Sequence, residues 1–264
     1  MNHKIIYGNC ESILPIFKQD SVDLIFTSPP YAGKRGKQYD TISADEYVHW
    51  FSGISIMLQK VLKPTGTFIL NIKEGTDKGE RQGYVMDLVQ TLKIQKWIHT
   101  ETYIWHKSNA MCGKWPNRFR DSFEYLFHFT LNKKFYMNQK AVMKPIGEWV
   151  KKEGKRKPGM YKPKSGSVFC KDSNKINKLK MVYPSNVITM PTQSYNVGHP
   201  AAYPLALPEW FIKLFTKQHD VVLDPFVGSG STCVAAKKLH RKCVGIENKE
   251  DYYNVAKRRM ESIL

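Results

Sequence analysis

Leu24-Ile-Phe-Thr-Ser-Pro-Pro-Tyr31 is an apolar run that ends abruptly in two prolines and a tyrosine. Proline lacks an N–H and has a fixed φ, so Pro29 and Pro30 cannot continue a strand and instead hold a rigid, extended turn. The stretch therefore predicts a buried strand whose carboxyl end carries a stiff loop. Open α/β sheets bind their ligands at that position.

The loop offers three groups with a shared chemical use. Ser28 supplies a hydroxyl, Pro29 a carbonyl and Tyr31 an aromatic face. Two hydrogen-bond acceptors beside a stacking surface suit a flat ring that carries an exocyclic amine. On this stretch alone, an ordinary strand-ending turn with a packed tyrosine is an equal alternative.

The chain is strongly basic, with 41 Lys and Arg against 23 Asp and Glu and a formal charge of +18. Such a surplus indicates a polyanionic partner, either nucleic acid or an acidic membrane surface. No apolar run approaches the roughly 20 residues of a membrane span, and the N-terminus lacks a signal-peptide core. The five cysteines are scattered without a Cys-x-x-Cys pair. This pattern predicts neither a disulfide framework nor a zinc site, and it favours a reducing cytoplasm.

Outside one segment, strand and helix patterns alternate along the chain, which predicts an α/β fold with a mostly parallel sheet. Ser43 and Glu46 have the spacing of a capping box and predict the start of a long helix that ends before Pro64. The predicted strands are Lys4–Tyr7, Val22–Thr27, Thr67–Ile72, 102–105, Phe123–Thr130, Val221–Asp224 and Lys242–Ile246.

The exception lies between Lys133 and Tyr183, where 15 basic and three acidic residues carry +12 of the formal +18. The segment has no sustained helical or strand period. Trp149, Tyr161 and Phe169 are interleaved with the charges. The aromatics and the size of the charge favour an inserted nucleic-acid-reading element over a disordered linker.

A second motif follows the insert: Val221-Val-Leu-Asp-Pro-Phe-Val-Gly-Ser-Gly-Ser-Thr232, a strand, a glycine-rich turn and a helix start. It is not a P-loop, and Cys233 stands where the dinucleotide fingerprint has its third glycine. Glu247, at the end of the next strand, is placed to accept hydrogen bonds from ribose hydroxyls. The helix N-terminus would attract a carboxylate. S-adenosylmethionine, a nucleoside with a carboxylate and no phosphates, fits better than NAD. A generic nucleotide-binding turn is the alternative.

Together the two motifs resemble those of the amino-group DNA methyltransferases of the β arrangement, in which the catalytic motif precedes the cofactor motif. Thr27–Tyr31 resembles their Ser/Asp-Pro-Pro-Tyr motif, and Asp224–Thr232 resembles Asp-Pro-Phe-x-Gly-Ser-Gly-Thr-Thr, with Ser231 replacing one threonine. The resemblance implies a Rossmann-like class I methyltransferase fold with a mostly parallel, seven-stranded sheet. It covers the chain except the basic insert, which takes the position of the family's target-recognition region.

The resemblance also implies a division of the chain and a set of site residues. Residues 1–132 would form the catalytic half, 133–190 the target-recognition region and 191–264 the cofactor half. The implied catalytic residues are Ser28, Pro29, Pro30 and Tyr31. The implied cofactor residues are Asn9, Cys10, His199, Pro200, Ala201, Asp224, Pro225, Phe226, Gly228, Ser229, Gly230, Thr232, Glu247 and Asn248, where Asn9 replaces the family's usual aspartate. The implied DNA contacts are Lys34, Arg35, Lys37, Arg118, Arg120, Lys151, Lys152, Lys155, Arg156 and Lys157; Asn117–Arg120 and Phe123–Tyr125 resemble a segment near the target-base pocket.

The implied reaction is methylation of an exocyclic amine on a flipped base in double-stranded DNA, with S-adenosylmethionine as the methyl donor and no metal. Tyr31 would stack on the base, while Ser28 and the Pro29 carbonyl accept from the amine. Serine at position 28 favours N4 of cytosine; N6 of adenine is the first alternative, and a non-catalytic nucleic-acid-binding protein the second. Carbon-5 methylation is disfavoured because no cysteine follows a proline. A restriction–modification system is expected, while a partner endonuclease and a homodimer stay open.

Overall fold

The computed structural model describes residues 3–33, 42–110, 113, 115–148, 152, 155, 159–161, 169–171, 180–193 and 203–263. The chain divides into two compact units. The larger unit comprises Met1–Asn138 and Asn186–Leu264, and the smaller comprises Gln139–Ser185.

An eight-stranded sheet forms the centre of the larger unit. Its strands are β1 (Lys4–Tyr7), β2 (Val22–Thr27), β3 (Leu62–Ile72), β4 (Ile98–Lys107), β5 (Phe123–Thr130), β6 (Val187–Met190), β7 (Val221–Asp224) and β8 (Lys242–Glu247). The strand order is β1-β8-β7-β2-β3-β5-β4-β6. All neighbouring pairs are parallel except those of β5, which is antiparallel to β3 and to β4.

The predicted α/β fold with a mostly parallel sheet is confirmed, and the sheet has one strand more than the seven implied by the family. The additional strand, β6, pairs in parallel with β4 from Ile104 to Lys107. It satisfies backbone groups that an open sheet edge would leave unpaired.

β2 lies in the middle of the sheet between β7 and β3. Five of its six residues are buried, as expected for a strand covered on both faces. Leu24 and Ile25 are in register with Val222 and Leu223 of β7. The two sequence motifs, distant along the chain, therefore end at adjacent positions of one sheet edge.

Helices cover the sheet. Within the described residues the α-helices of this unit are α1 (Cys10–Ile13), α2 (Ala44–Val61), α3 (Tyr84–Ile94), α4 (Ala206–Phe215), α5 (Ser231–Lys238) and α6 (Glu250–Glu261). α2 packs against α3, α4 packs on β2 and α5, and α6 packs on β1 and α5. Ser43 caps α2 as predicted: its hydroxyl oxygen accepts from the Glu46 N–H, and its O–H donates to the Glu46 carboxylate at 2.8 Å. None of the helices in the described ranges is long and apolar enough to span a bilayer.

The cysteines depart from the expectation that none would pair. Cys233 on α5 and Cys243 on β8 form a disulfide, with Cα atoms 5.2 Å apart. Sequence spacing could not show this pairing, because it depends on α5 packing against β8. Cys10 is a free, buried cysteine.

The smaller unit contains a 3₁₀ turn and two short antiparallel strand pairs. Lys144–Pro145 pairs with Met181–Val182, and Gly159–Tyr161 pairs with Phe169–Lys171. This unit is narrower than the predicted segment 133–190, because β6 and residues 133–138 belong to the larger unit. Its assignment to target recognition stays a prediction.

Candidate active site

A cavity of about 660 Å³ lies in the larger unit where the parallel strands end. Ser28, Pro29, Pro30 and Tyr31 line it, so the predicted catalytic loop opens into it. Predicted cofactor residues at the carboxyl ends of β1, β7 and β8 line the same cavity, namely Asn9, Cys10, Pro225, Phe226, Gly228, Ser229, Glu247 and Asn248. The two motifs therefore face one shared space.

Asp224 immediately precedes the predicted cofactor loop, residues 225–230, and anchors it without lining the cavity. Its side chain is 0% exposed. It accepts hydrogen bonds from Thr27 Oγ1 at 2.7 Å, Thr232 Oγ1 at 2.6 Å, Tyr203 Oη at 3.1 Å and the Phe226 N–H at 3.1 Å. Burial raises the pKa of Asp224, and these donors oppose that shift. The Thr27 bond fastens the cofactor loop directly to the strand that carries the catalytic loop.

The loop is also held from the side of α6. Gly230, at φ +86°, precedes α5, and a Cβ there would lie 3.0 Å from the Ala256 Cβ. Arg259 Nη1 donates to the Ser229 carbonyl at 2.6 Å and to Ser229 Oγ at 3.0 Å. Gly230, like Asp224 and Thr232, thus shapes the loop without lining the cavity.

Glu247 lies at the cavity wall and is 5% exposed. Its Oε2 accepts from the Gly228 N–H and its Oε1 from the Lys249 N–H, each at 2.9 Å. Burial raises the pKa of Glu247, while the backbone donors counter the shift. The carboxylate is therefore held rigidly beside the glycine-rich loop, and its remaining lone pairs can accept from a ligand's hydroxyls.

Asn9 and Cys10 form the neighbouring wall. Asn9 caps α1: its Oδ1 accepts from the Glu11 N–H at 2.9 Å, and its Nδ2 donates to the Glu11 carboxylate at 3.1 Å. Burial raises the pKa of the Cys10 thiol to about 12. Cys10 is therefore a neutral wall residue at physiological pH.

On the catalytic side, Ser28 Oγ lies 3.2 Å from Tyr31 Oη, which donates to Glu124 Oε2 at 2.8 Å. Asn71 Nδ2 donates to the same carboxylate oxygen at 3.0 Å, and Lys107 Nζ donates to Glu124 Oε1 at 2.5 Å. Glu124 is 8% exposed. Burial, followed by the Glu124 charge, raises the pKa of Tyr31 well above its usual value, so the phenol stays protonated.

Glu124 lies in the stretch Phe123–Tyr125 that resembles a family segment, but the sequence assigns it no role, and it does not single out Asn71, Lys107, Tyr203 or Arg259. A usable signal existed for two of them, because Asn71 and Glu124 are polar residues within otherwise apolar strands, and buried polar groups are the informative exceptions. Lys107 and Arg259 carry no such signal.

The predicted DNA contacts divide into those the structure describes and those it does not. Arg118 and Arg120 lie in the loop between β4 and β5, and the Arg118 guanidinium lies 4.4 Å from the Trp115 ring centroid. Lys152 and Lys155 are exposed in the smaller unit. Outside the described residues lie Lys34, Arg35, Lys37, Lys151, Arg156, Lys157 and the predicted cofactor residues His199, Pro200 and Ala201.

Known relatives and solved structures match this chain over nearly its whole length. Type II methyltransferase M.PvuII of Proteus hauseri is 26% identical over 273 residues, which cover 95% of this chain and 81% of the relative. The solved PvuII DNA methyltransferase (cytosine-N4-specific) has a TM-score of 0.73 at 23% identity, covering 98% of this chain and 86% of that one. The M1.HpyAVI–SAM complex has a TM-score of 0.61 at 23% identity, covering 97% and 98%.

A family-level match agrees with the resemblance read from the two motifs. The sequence model of the DNA methylase family matches residues 22–258, which include the catalytic loop, the basic insert and the cofactor loop. The chain belongs to the N6/N4 DNA methylase family.

Proposed function

We propose that the protein is a site-specific DNA methyltransferase that transfers a methyl group from S-adenosylmethionine to the N4 amine of a flipped cytosine in double-stranded DNA. The observation that carries the proposal is that Ser28 and Pro29 open into the same cavity as Gly228 and Glu247. Groups suited to accept from an amine and groups suited to bind a nucleoside thus line one cavity.

The cavity residues suit S-adenosylmethionine. Glu247 would accept from the ribose hydroxyls, and Gly228 and Ser229 let a ligand approach the loop backbone. Phe226 packs on Trp50 with ring centroids 5.7 Å apart, and both rings line the cavity and would contact the adenine. When bound, the cofactor supplies an electrophilic methyl group. The SAM complex of M1.HpyAVI supports this assignment.

On the other side of the cavity, Ser28 Oγ and the Pro29 carbonyl would each accept one hydrogen of the target amine. The lone pair of an aromatic amine is conjugated into its ring, so the amine is a poor nucleophile. Holding both hydrogens favours a pyramidal nitrogen and orients the lone pair. Positioning of this kind supplies a large part of the acceleration in group transfer. Tyr31 would present its ring to the flipped base.

Contacts to the duplex would come from two places. The loop after β4 begins next to the cavity-lining Lys107 and carries Arg118, Arg120 and Phe119, which is 93% exposed. The basic segment 133–190 would supply further phosphate contacts and the target recognition.

An enzyme of this function would act on DNA in the cytoplasm, as part of a restriction–modification system. A partner endonuclease and a homodimer remain predictions.

Mass spectrometry of deoxynucleosides tests the proposal. A randomised plasmid library is incubated with the protein and S-adenosylmethionine, digested and analysed. We expect N4-methylcytosine, which a Ser28→Ala variant should form about a hundredfold more slowly if that variant forfeits a transition-state hydrogen bond of about 3 kcal/mol.

Two other outcomes are informative. N6-methyladenine as the sole product would support the alternative base, which the N6/N4 family also accommodates. No modified base with any DNA would favour a non-catalytic DNA-binding protein.

A further inference from the structure

The direction of one hydrogen bond beside the target site follows from its neighbours. Tyr31 has a single hydroxyl proton, and it is donated to Glu124 Oε2 at 2.8 Å. Ser28 Oγ lies 3.2 Å from the same phenol oxygen. Because the phenol has no second proton to give, Ser28 must be the donor in this contact. The Ser28 lone pairs are then left to accept from another group.

The other contacts of Glu124 keep this direction from reversing. Lys107 Nζ and Asn71 Nδ2 both face the carboxylate, and both can only donate. Three donors on an almost fully buried carboxylate are the arrangement that its ionised form requires. An ionised carboxylate offers no proton to Tyr31, so Tyr31 must donate to it.

We propose that Tyr31 and Glu124 form a proton path that fixes Ser28 as an acceptor for the target amine and carries the proton released by methylation to Glu124. The proposal rests on the proposed function and adds to it. It gives the Tyr31 hydroxyl a role separate from stacking by the Tyr31 ring, and it makes Glu124 a positioning residue and the final proton acceptor.

The atoms balance along this path. As the amine nitrogen bonds to the methyl carbon, the carbon–sulfur bond breaks and leaves its electron pair on sulfur. In the same step the nitrogen loses one N–H proton to Ser28 Oγ, so methyl transfer and proton transfer share one transition state. Ser28 passes its own hydroxyl proton to Tyr31 Oη, and Tyr31 passes its proton to Glu124. Both hydroxyls are regenerated, and Glu124 is left neutral beside Lys107.

The geometry permits these transfers. Both oxygen–oxygen distances are within hydrogen-bonding range, and Ser28, Tyr31 and Glu124 all line the cavity. Burial raises the pKa of Tyr31 far above neutrality, so the phenol relays a proton by receiving one as it gives one, without a stable phenolate. Glu124 can release its proton to solvent when the products leave, because it borders the same cavity.

Two substitutions and a matched control test the path. Tyr31→Phe keeps the ring and removes the hydroxyl, while Glu124→Gln keeps the shape and removes the proton acceptor. Tyr47→Phe is the control: Tyr47 is a fully buried tyrosine whose hydroxyl has no hydrogen-bond partner in the described part of the chain. The readouts are single-turnover methyl transfer in H₂O and D₂O, and S-adenosylmethionine affinity by calorimetry.

We expect Tyr31→Phe and Glu124→Gln to slow the single-turnover rate by about a hundredfold, at the low end of general acid–base effects. Cofactor affinity should stay within about twofold, since the hydrogen bonds described for these two side chains go to Ser28, Asn71, Lys107 and each other rather than to the glycine-rich loop. The wild type and Tyr47→Phe should react more slowly in D₂O, and Tyr31→Phe should lose that solvent isotope effect. A purely structural role for Tyr31 would not change the isotope effect.

A wild-type rate in Tyr31→Phe, or an unchanged isotope effect in that variant, would overturn the proton path while leaving the methyltransferase assignment intact. Wild-type protein that binds S-adenosylmethionine but methylates no DNA would instead contradict the proposed function. The two failures are therefore distinguishable.

Discussion

Asp224 and Glu247 are both buried carboxylates near the cofactor loop, yet they do different work. Asp224 accepts from four donors below the loop, whereas Glu247 faces the cavity. Asp224→Ala should leave buried donors unpaired at about 1–3 kcal/mol each, and so lower both stability and S-adenosylmethionine affinity. Glu247→Gln keeps the side-chain shape and should mainly weaken cofactor binding. Urea unfolding and calorimetry separate the two effects; wild-type affinity in both folded variants would contradict the cofactor site.

Site residues whose conformation depends on local sequence were predictable, and those whose role depends on long-range contacts were not. Proline restricts the backbone and glycine permits positive φ, so the Pro29-Pro30 loop and the Gly228–Gly230 turn were predictable from local sequence. Glu124 acquires its role only because β5 lies beside β3 and β4, which brings Asn71 and Lys107 to its carboxylate. No local pattern contains that information.

At the scale of an element, β5 is the strand that runs against its neighbours, and it carries His128 into the core. His128 is 1% exposed and packs against Phe215 with ring centroids 4.6 Å apart. Burial, with a smaller effect of His99, lowers the pKa of His128 to about 3. The folded protein therefore keeps this imidazole neutral where the unfolded chain would protonate it.

Stability should consequently fall as pH drops below about 6.5, the ordinary histidine pKa. In this range the unfolded state binds a proton at His128 that the native state does not bind. The free energy of unfolding should therefore fall by about 1.4 kcal/mol per pH unit, or about 2 kcal/mol between pH 6.5 and 5. His128→Phe should remove this part of the acid sensitivity, and His49→Gln, at an exposed site of α2, should not. Denaturant unfolding at several pH values measures both; an unchanged pH dependence in His128→Phe would contradict the prediction.

For the whole molecule, the uneven distribution of charge predicts how DNA binding depends on salt. The segment 133–183 carries +12 of the formal +18. Replacing its central basic residues by glutamine should weaken DNA binding and reduce the slope of log K against log salt by about 0.9 for each phosphate that is no longer neutralised. The residues to replace are Lys151, Lys152, Lys155, Arg156 and Lys157.

The control set consists of exposed lysines on α2, on α3 and in the turn after α3, namely Lys60, Lys93 and Lys96. Their replacement should leave the slope nearly unchanged. Equal slopes for the wild type and the insert variant would make segment 133–183 a linker. The basic composition marks residues 133–183, whereas the end of the smaller unit at Ser185 depends on the pairing of β6 with β4, a long-range contact without a local signal.

The pairing of β2 with β7 also affects how the chain folds while it is being synthesised. Thr27 and its partner Asp224 are 197 residues apart. At typical translation rates of about 5–20 residues per second, roughly 10 to 40 s separate the emergence of the two strands from the ribosome. During that interval β2, an apolar strand destined for the middle of the sheet, exposes an unpaired edge that other nascent chains can join. Mispairing on the ribosome is therefore most favoured in the interval before β7 emerges and covers this edge of β2.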